Sequence, residues 1–189
     1  RLSKGLDGIF HVAAMVNWVY PYRALSDANV AGTQALLRLA CLGATPFVYV
    51  STSAVCWSFG ATGVFDEDTD PMTHIDGIHL NYVRTKAVAE SLVRQAASRG
   101  LPATVIRPGL IFSHSKTGDH TPGDFLSALF KGCIEMGAAP DLDWSLEVCP
   151  VDDVARIVVD HVRQIPGVTL QVPQGAFYLF PDVRALLRR

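Results

Sequence analysis

Short apolar runs alternate along this chain with longer segments in which apolar residues recur every three or four positions. The short runs are typical of buried β-strands, and the longer segments are typical of amphipathic helices. Strands are predicted at 8–14, 47–50 and 103–106, with a weaker one at 176–180. Because strands and helices alternate and the strands are apolar throughout, the pattern predicts a doubly wound α/β fold, with a parallel sheet covered on both faces.

Four helices are predicted from their apolar periodicity and their end signals. In chain order they are 25–43 with Gly43 as the stop, 82–98 with Asn81 as the candidate N-cap and Gly100 at the end, a helix after Gly123 and Asp124, and a helix opened by Asp152 and Asp153. The third helix is expected to turn Phe130 inward, and the fourth to carry Ile157 on its buried stripe.

The segment 57–80 is the least regular part of the chain and is rich in Gly, Asp, Thr and His. Loops of this length in a compact domain are usually functional or partly mobile. Its tetrapeptide G-A-T-G, from Gly60 to Gly63, resembles half of a glycine-rich cofactor turn. No strand and helix N-terminus frame it, so it is interpreted as a loop.

Composition narrows the class of protein. Hydrophobic residues make up 49% of the 189 residues and charged residues 18%, which argues against low-complexity disorder. The formal charge is −2 and no long run of like charge occurs, so a nucleic-acid binder is improbable. No apolar run approaches the roughly 18 to 20 residues that span a bilayer, so no membrane association is predicted.

The cysteines and histidines have no metal-site spacing. Cys41, Cys56, Cys133 and Cys149 include no C-x-x-C pair, and no H-E-x-x-H sequence occurs among the histidines. The cysteines are therefore expected to be ordinary buried thiols in a reducing compartment, with no metal bound. This favours a cytoplasmic location.

Three polar residues stand where a doubly wound sheet presents its chemistry. Thr52 follows the strand at 47–50, at the carboxyl end where open α/β sheets bind ligands. Tyr82 and Lys86 are four residues apart, so both project from one face of a helix. A nearby ammonium favours the phenolate and would lower the pKa of Tyr82. Thr52 could hydrogen-bond a carbonyl oxygen while Tyr82 donates a proton and a nicotinamide donates hydride to the carbon.

Several alternatives remain open at these positions. Ser51 or Ser53 could be the carbonyl-binding hydroxyl instead of Thr52, and Tyr82 with Lys86 could be an ordinary aromatic and a surface lysine. Asn29 is expected to brace the sheet or the active-site helix. Asp152 and Asp153 are expected to cap a helix rather than act as acid and base. Three aromatic residues could contact an acyl chain or simply pack: Trp18, Tyr20 and Tyr22.

The order of motifs resembles extended short-chain dehydrogenase/reductases. The motifs are H-V-A-A (11–14), N-V-A-G-T (29–33), V-S-T-S-A-V (50–55), Y-V-R-T-K (82–86) and I-R-P-G-L-I (106–111). Three further segments are most similar to thioester reductase domains of nonribosomal peptide and polyketide synthetases, carboxylic acid reductases and aminoadipate reductases. These are V-N-W-V-Y-P-Y (16–22), K-G-C-I-E-M-G-A-A-P (131–140) and C-P-V-D-D-V-A (149–155).

The resemblance implies an NADPH-dependent oxidoreductase that reduces a phosphopantetheine-bound acyl or peptidyl thioester on a carrier protein and releases an aldehyde or alcohol. It implies Thr52, Tyr82 and Lys86 as catalytic residues, with Tyr82 and Lys86 also at the cofactor. The remaining cofactor contacts that it implies are Ala13, Ala14, Pro108, Gly109 and Ile111.

Departures from the family pattern lead to further expectations. The family's glycine-rich turn and first strands would precede H-V-A-A, yet ten residues stand before His11. Residues 1–189 are therefore interpreted as a single partial domain: a Rossmann-like core, incomplete in its N-terminal half, with part of a substrate subdomain. Ala87 replaces a tryptophan common in relatives. The chain alone is expected to be inactive, and to self-associate through the unpaired edge of the strand at 8–14.

Two other functions stay open at this point. One is another extended short-chain reductase, such as a fatty acyl reductase or a sugar-nucleotide epimerase or dehydratase. The other is a non-catalytic fragment.

Overall fold

A computed structural model gives the fold and describes residues 5–60, 62–121, 123–141, 146–164, 169–170 and 181–182. The chain divides into two compact units, one ending at Arg107 and the next beginning at Pro108. The strand predicted at 176–180 lies outside the described residues. The interpretation of 1–189 as one partial domain stays a prediction.

The first unit is built on a parallel three-stranded sheet. Its strands are β1 (Ile9–His11), β2 (Phe47–Val50) and β3 (Ala103–Ile106), in the order β1-β2-β3. All four residues of the central strand β2 are buried, because β2 is paired on both edges. The predicted α/β class with a parallel sheet is confirmed. Among the described residues, β1 pairs with β2 alone, and self-association stays a prediction.

The first predicted helix is interrupted by a wider turn. It comprises α1 (Tyr22–Ser26), a π-helical turn (Asp27–Ala31) and α2 (Gly32–Gly43). Sequence periodicity did not reveal the π-turn, since the apolar face continues through it. At the helix end Gly43 is still helical, and Ala44 takes the left-handed conformation with φ of 49°.

The helix α3 (Asn81–Ser98) follows two short 3₁₀ turns, Ser53–Cys56 and Pro71–Gly77. The prediction that Asn81 is its N-cap is wrong. Asn81 is the first helical residue, and its amide donates to the Tyr20 carbonyl at 3.2 Å. Leu80 holds the N-cap position without a side-chain cap, and Gly100 follows the helix with φ of +100°. The core between α2, α3 and the sheet consists of Leu37, Ala40, Phe47, Tyr49, Ala89, Val93 and Leu101.

The second unit contains a parallel pair of strands and two helices. The strands are β4 (Leu110–Phe112) and β5 (Val148–Pro150), and the helices are α4 (Phe125–Met136) and α5 (Val151–Arg163). The short strands β6 (Thr169–Leu170) and β7 (Pro181–Asp182) pair antiparallel.

Helix α4 begins as its sequence predicts. The Asp124 carboxylate is the N-cap and accepts from the Ser127 backbone N–H at 3.0 Å. The predicted burial of Phe130 is wrong, because this side chain is 48% exposed while Leu126 is buried. The inward face of α4 is therefore narrower than its apolar pattern suggests.

Helix α5 differs from its predicted pattern in two ways. Val154, Val158 and Val159 are buried, whereas Ile157 is exposed. Asp152 does not cap the helix: its carboxylate accepts from the N–H and hydroxyl of Ser115, at 2.9 and 2.6 Å. These hydrogen bonds hold the pKa of Asp152 down to about 2. Asp153 pairs with Arg156 at 3.0 Å.

The four cysteines, all of them among the described residues, form no disulfide bond and are less buried than predicted. Cys41 is exposed and Cys56, Cys133 and Cys149 are half-buried. No group of three or more potential metal ligands occurs among the described residues. Within the same part of the chain, no helix has the length and apolar character needed to cross a bilayer.

Candidate active site

The carboxyl end of β2 presents three hydroxyl residues in a row. Thr52 is extended, with φ of −158°, and forms the N-cap of the 3₁₀ turn Ser53–Cys56. Its Oγ1 accepts a hydrogen bond from the Ala54 N–H at 3.2 Å. Because this contact uses an oxygen lone pair, the hydroxyl hydrogen of Thr52 can still donate to another group.

The neighbouring hydroxyls are the sequence alternatives to Thr52. The Oγ atoms of Ser51 and Ser53 are buried and have no hydrogen-bond partner in the structure. The Ser51 residue is only 5% exposed. A buried hydroxyl without a partner is costly, so these two atoms are the places where a ligand or water oxygen would be stabilising. The choice among the three hydroxyls therefore stays a prediction in favour of Thr52.

Helix α3 brings Lys86 to the same strand end. Lys86 is 2% exposed, and its Nζ donates to the Val50 carbonyl at 2.7 Å. The ammonium also lies 4.1 Å from the centre of the Tyr49 ring, a cation–π distance. Lys86 is thus no surface lysine, and it meets the last residue of β2, two positions before Thr52.

Tyr82 lies one helical turn before Lys86 and is half-buried. It packs against an apolar cluster around the 3₁₀ turn after Thr52, formed by Ala54, Val55, Ile78, Val83 and Ala87. The small side chain of Ala87 is fully buried in this cluster. Thr52, Tyr82 and Lys86 are therefore gathered around one end of β2.

The electrostatics differ from the sequence expectation. Burial raises the pKa of Tyr82 to about 12, because the phenolate would be poorly solvated. Burial also lowers the pKa of Lys86 to about 8, against an opposing effect of the Glu90 carboxylate. The expected lowering of the Tyr82 pKa by Lys86 is not found. The ammonium is directed at the Val50 carbonyl and the Tyr49 ring instead.

A buried histidine adjoins this lysine. The Nε2 atom of His11 lies 2.7 Å from Oγ1 of Thr33, and its ring packs against Phe47 and Tyr49. Burial and the positive charge of Lys86 lower the pKa of His11 to about 4. His11 is therefore neutral near pH 7. The sequence signal for it was a lone histidine interrupting an apolar run.

Asn29 braces the site, as predicted. It is 2% exposed and exchanges two hydrogen bonds with the Met15 backbone, at 2.7 and 3.0 Å. Its amide also donates to Oγ1 of Thr85 at 2.9 Å, and Thr85 in turn donates to the Tyr82 carbonyl. Asn29 thereby links the segment after β1 to the first turn of α3.

The residues expected at the cofactor lie in both units. Ala13 is exposed and Ala14 half-buried in the coil that follows β1. Pro108, Gly109 and Ile111 belong to the second unit. A Cβ on Gly109 would lie 2.5 Å from the Glu147 carbonyl oxygen, so the start of β4 itself requires glycine there. The cofactor role of all five residues stays a prediction.

Comparison with known proteins identifies the family. Residues 1–158 match the NAD-binding family described as Male sterility protein. The chain belongs to this NAD-binding family.

Two curated relatives of this chain are named as reductases. The chain is 42% identical over 171 residues to glycine betaine reductase of Emericella nidulans, and the aligned segment covers 87% of this chain and 13% of the relative. It is 39% identical over 171 residues to L-2-aminoadipate reductase of Schizosaccharomyces pombe, covering 84% and 12%. The chain thus spans about an eighth of the length of these relatives.

Solved structures agree with the family assignment. The terminal R domain from the myxalamid PKS-NRPS pathway is 42% identical, with a TM-score of 0.78, over 84% of this chain and 40% of that one. A thiolation-reductase di-domain from an archaeal non-ribosomal peptide synthetase is 25% identical, with a TM-score of 0.65, over 72% and 31%. The resemblance to reductase domains of this type is confirmed.

The NAD-binding family member also contains a buried ion pair that sequence reasoning missed. Glu90 is fully buried on α3, one turn after Lys86, and Arg107 Nη2 lies 2.6 Å from its Oε1. The spacing of Tyr82, Lys86 and Glu90 at intervals of four could have placed Glu90 on the same helix face as the other two residues, but it does not indicate Arg107 as the partner. Gly60 and Gly63 lie in irregular chain, which agrees with their interpretation as a loop.

Proposed function

We propose that this chain carries the catalytic residues of an NADPH-dependent reductase that acts on an acyl or peptidyl thioester held on a carrier protein. The observation that carries the proposal is the buried Lys86 at the end of β2, one turn from Tyr82 and beside Thr52. The similarity to L-2-aminoadipate reductase and to reductase domains of peptide synthetases supports the reaction class.

Each residue has a defined task in this proposal. The Thr52 hydroxyl, whose oxygen already accepts from Ala54, donates to the thioester carbonyl oxygen. Tyr82 supplies the proton, and its raised pKa keeps that proton in place near neutral pH. Lys86 provides positive charge at the strand end, which stabilises negative charge developing on oxygen.

The chain's residues fit a nicotinamide cofactor at this end of the sheet. The Lys86 ammonium has three donors, of which the Val50 carbonyl takes one, so others can reach ribose hydroxyls. The buried Ser51 hydroxyl lacks a partner, and Ala13 and Ala14 present little bulk after β1. The bound cofactor supplies hydride to the carbonyl carbon. The choice of NADPH over NADH is part of the proposal.

The reaction is balanced by these groups. Hydride adds to the thioester carbon, the carbonyl oxygen takes the Tyr82 proton, and a thiohemiacetal results. Its C–S bond then breaks while its hydroxyl proton transfers to the pantetheine sulfur, so that a thiol and an aldehyde are released. The Tyr82 phenolate then takes a proton from water. A second reduction of the aldehyde would give the alcohol. We also propose the cytoplasm as the location, because a reducing environment keeps the four cysteines as thiols rather than disulfides.

The test uses the protein at its full natural length. Acyl-pantetheine thioester and NADPH are added and NADPH oxidation is followed by absorbance. Tyr82→Phe should lower turnover at least about 100-fold, since it removes the proton donor. Ser98→Ala removes an exposed hydroxyl from the same helix and should leave turnover unchanged. Unchanged turnover in the Tyr82 variant would rule out this mechanism.

A second measurement separates cofactor and partner. Turnover with NADH in place of NADPH tests the choice of cofactor. Presenting the same acyl group on a phosphopantetheinylated carrier domain should lower KM relative to the free pantetheine thioester. Equal KM values would contradict the carrier partner but leave the reductase chemistry in place.

A further inference from the structure

Segment 57–80 connects the two sides of the proposed site. It leaves the 3₁₀ turn that Thr52 caps and ends just before Asn81 and Tyr82. Its middle contains neither helix nor strand between Trp57 and Pro71 among the described residues. The position of this segment therefore depends on contacts from elsewhere in the first unit.

Arg107 supplies those contacts from the end of β3. Its Nη1 donates to the Asp66 carbonyl at 3.0 Å, and its Nη2 donates to the Thr69 carbonyl at 2.6 Å. The same guanidinium donates through Nε and Nη2 to the Glu90 carboxylate. A planar guanidinium with five donors can make all these bonds at once, whereas a lysine ammonium cannot.

Glu90 is the residue that fixes the guanidinium in place. It is fully buried, and a buried carboxylate is retained only where cations and hydrogen bonds compensate its charge. Arg107 is one such cation. Lys86, one turn earlier on α3, is the other: burial lowers the pKa of Lys86, and the Glu90 carboxylate opposes that lowering. The groups that act on Lys86 are the Tyr49 ring and the Val50 carbonyl on β2, His11 on β1 and Glu90 on α3.

We propose that Glu90 is a positioning residue for the Thr52, Tyr82 and Lys86 site. Through Arg107 it holds segment 57–80 against α3, and its negative charge holds Lys86 as an ammonium at the end of β2. Glu90 is the carboxylate that Arg107 binds, and it lies one turn after Lys86 on the same face of α3. The proposal rests on the proposed function for the roles of Thr52, Tyr82 and Lys86. The contacts of Glu90 and Arg107 are present in the structure whatever the function is.

The first test measures the charge of Lys86 directly. The chain has four lysines, Lys4, Lys86, Lys116 and Lys131, so ε-¹³C labelling resolves the titration of Lys86 by NMR. Glu90→Gln keeps the shape of the side chain and removes its charge. The titration midpoint of Lys86 should fall by about one pH unit, as expected for the loss of a nearby opposite charge. An unchanged midpoint in the folded variant would overturn the proposal.

Arg94 offers a matched control on the same helix. It donates to the carbonyls of Glu67 and Asp68, at 3.3 and 2.7 Å, in the same segment. Arg94→Gln removes a tether of segment 57–80 and leaves the charge of Glu90 in place. It should leave the Lys86 midpoint unchanged. A shift equal to that of Glu90→Gln would show a general loosening of the structure and would overturn the proposal.

The second test follows the segment itself by hydrogen exchange of peptides covering 66–70. Arg107→Lys keeps both charges but loses the fork of donors, so these amides should exchange at least about tenfold faster. Their exchange should stay as slow as in the wild type if Arg107 does not hold the segment.

A double variant keeps the proposal testable where Glu90→Gln fails to fold. Glu90→Leu with Arg107→Met replaces the buried pair by apolar side chains, a change that buried pairs often tolerate. The Lys86 midpoint should fall and the 66–70 amides should exchange faster. A folded double variant with neither change would contradict the proposal. None of these readouts depends on reductase activity, so failure of the proposed function is distinguishable from failure of this inference.

Discussion

The side-chain amide of Asn29 donates to Oγ1 of Thr85 at 2.9 Å, and both residues are buried. This bond joins the π-helical turn Asp27–Ala31 to the first two turns of α3, which carry Tyr82 and Lys86. Short π-helical turns often occur at functional sites, and this one contains Asn29, whose side chain makes the bond to α3. It places an amide where it can bind both the Met15 backbone and α3.

Asn29→Ala should therefore be strongly destabilising. It leaves the Met15 N–H and carbonyl and the Thr85 hydroxyl without this partner, at a cost of about 2 to 4 kcal/mol in the free energy of unfolding. Urea denaturation of the chain measures it. Asn17→Ala is the control, because Asn17 accepts from the N–H groups of Val19 and Tyr20 in an exposed turn. Equal losses in the two variants would contradict the bracing role of Asn29.

His11 makes the stability depend on pH in the acid range. Its pKa is about 4 in the folded chain and 6.5 in the unfolded chain, so the unfolded state binds more protons between these values. Stability is then fully present above about pH 6.5 and falls as the pH drops toward 4, by about 3 kcal/mol. His11→Gln should flatten this part of the pH profile, and His120→Gln, at an exposed site, should not.

Lys86 has the corresponding effect in the alkaline range. Its pKa is about 8 when folded and 10.5 when unfolded, so the unfolded state binds more protons between these values. The free energy of unfolding should rise from pH 8 to about 10. Above that, unfolded tyrosines ionise more readily than Tyr82, whose folded pKa is about 12, and stability falls again. Lys86→Met should remove the rise, as chemical denaturation at several pH values would show.

Gly109 and Gly132 should respond oppositely to alanine in the second unit. A Cβ on Gly109 would lie 2.5 Å from the Glu147 carbonyl oxygen, so Gly109→Ala must displace backbone and should destabilise by at least about 1 to 3 kcal/mol. Gly132 lies inside α4 with nothing within 4 Å of such a Cβ, so Gly132→Ala should stabilise by about 0.5 to 1 kcal/mol. Thermal unfolding compares them, and a neutral Gly109→Ala would contradict the close approach.

Local pattern was sufficient for much of the fold. The strands β1, β2 and β3, the extent of α3 and the start of α4 after Asp124 follow from apolar periodicity and end signals that depend on neighbours in sequence. The exposure of Phe130 and Ile157 could not be predicted from the sequence. The apolar pattern shows which residues share a helix face, but the width of the face that is buried depends on the neighbouring elements.

The sequence by itself determined the parallel α/β class and the family, and it predicted Thr52, Tyr82 and Lys86 as the candidate site, because these depend on residue type and spacing. Only the tertiary structure decided the electrostatic state of that site. Burial raises the pKa of Tyr82 and lowers that of Lys86, and both effects depend on which distant groups surround them. The contacts of Lys86 with Val50, of Asn29 with Thr85 and of Glu90 with Arg107 join residues far apart in the chain, so packing alone determines them.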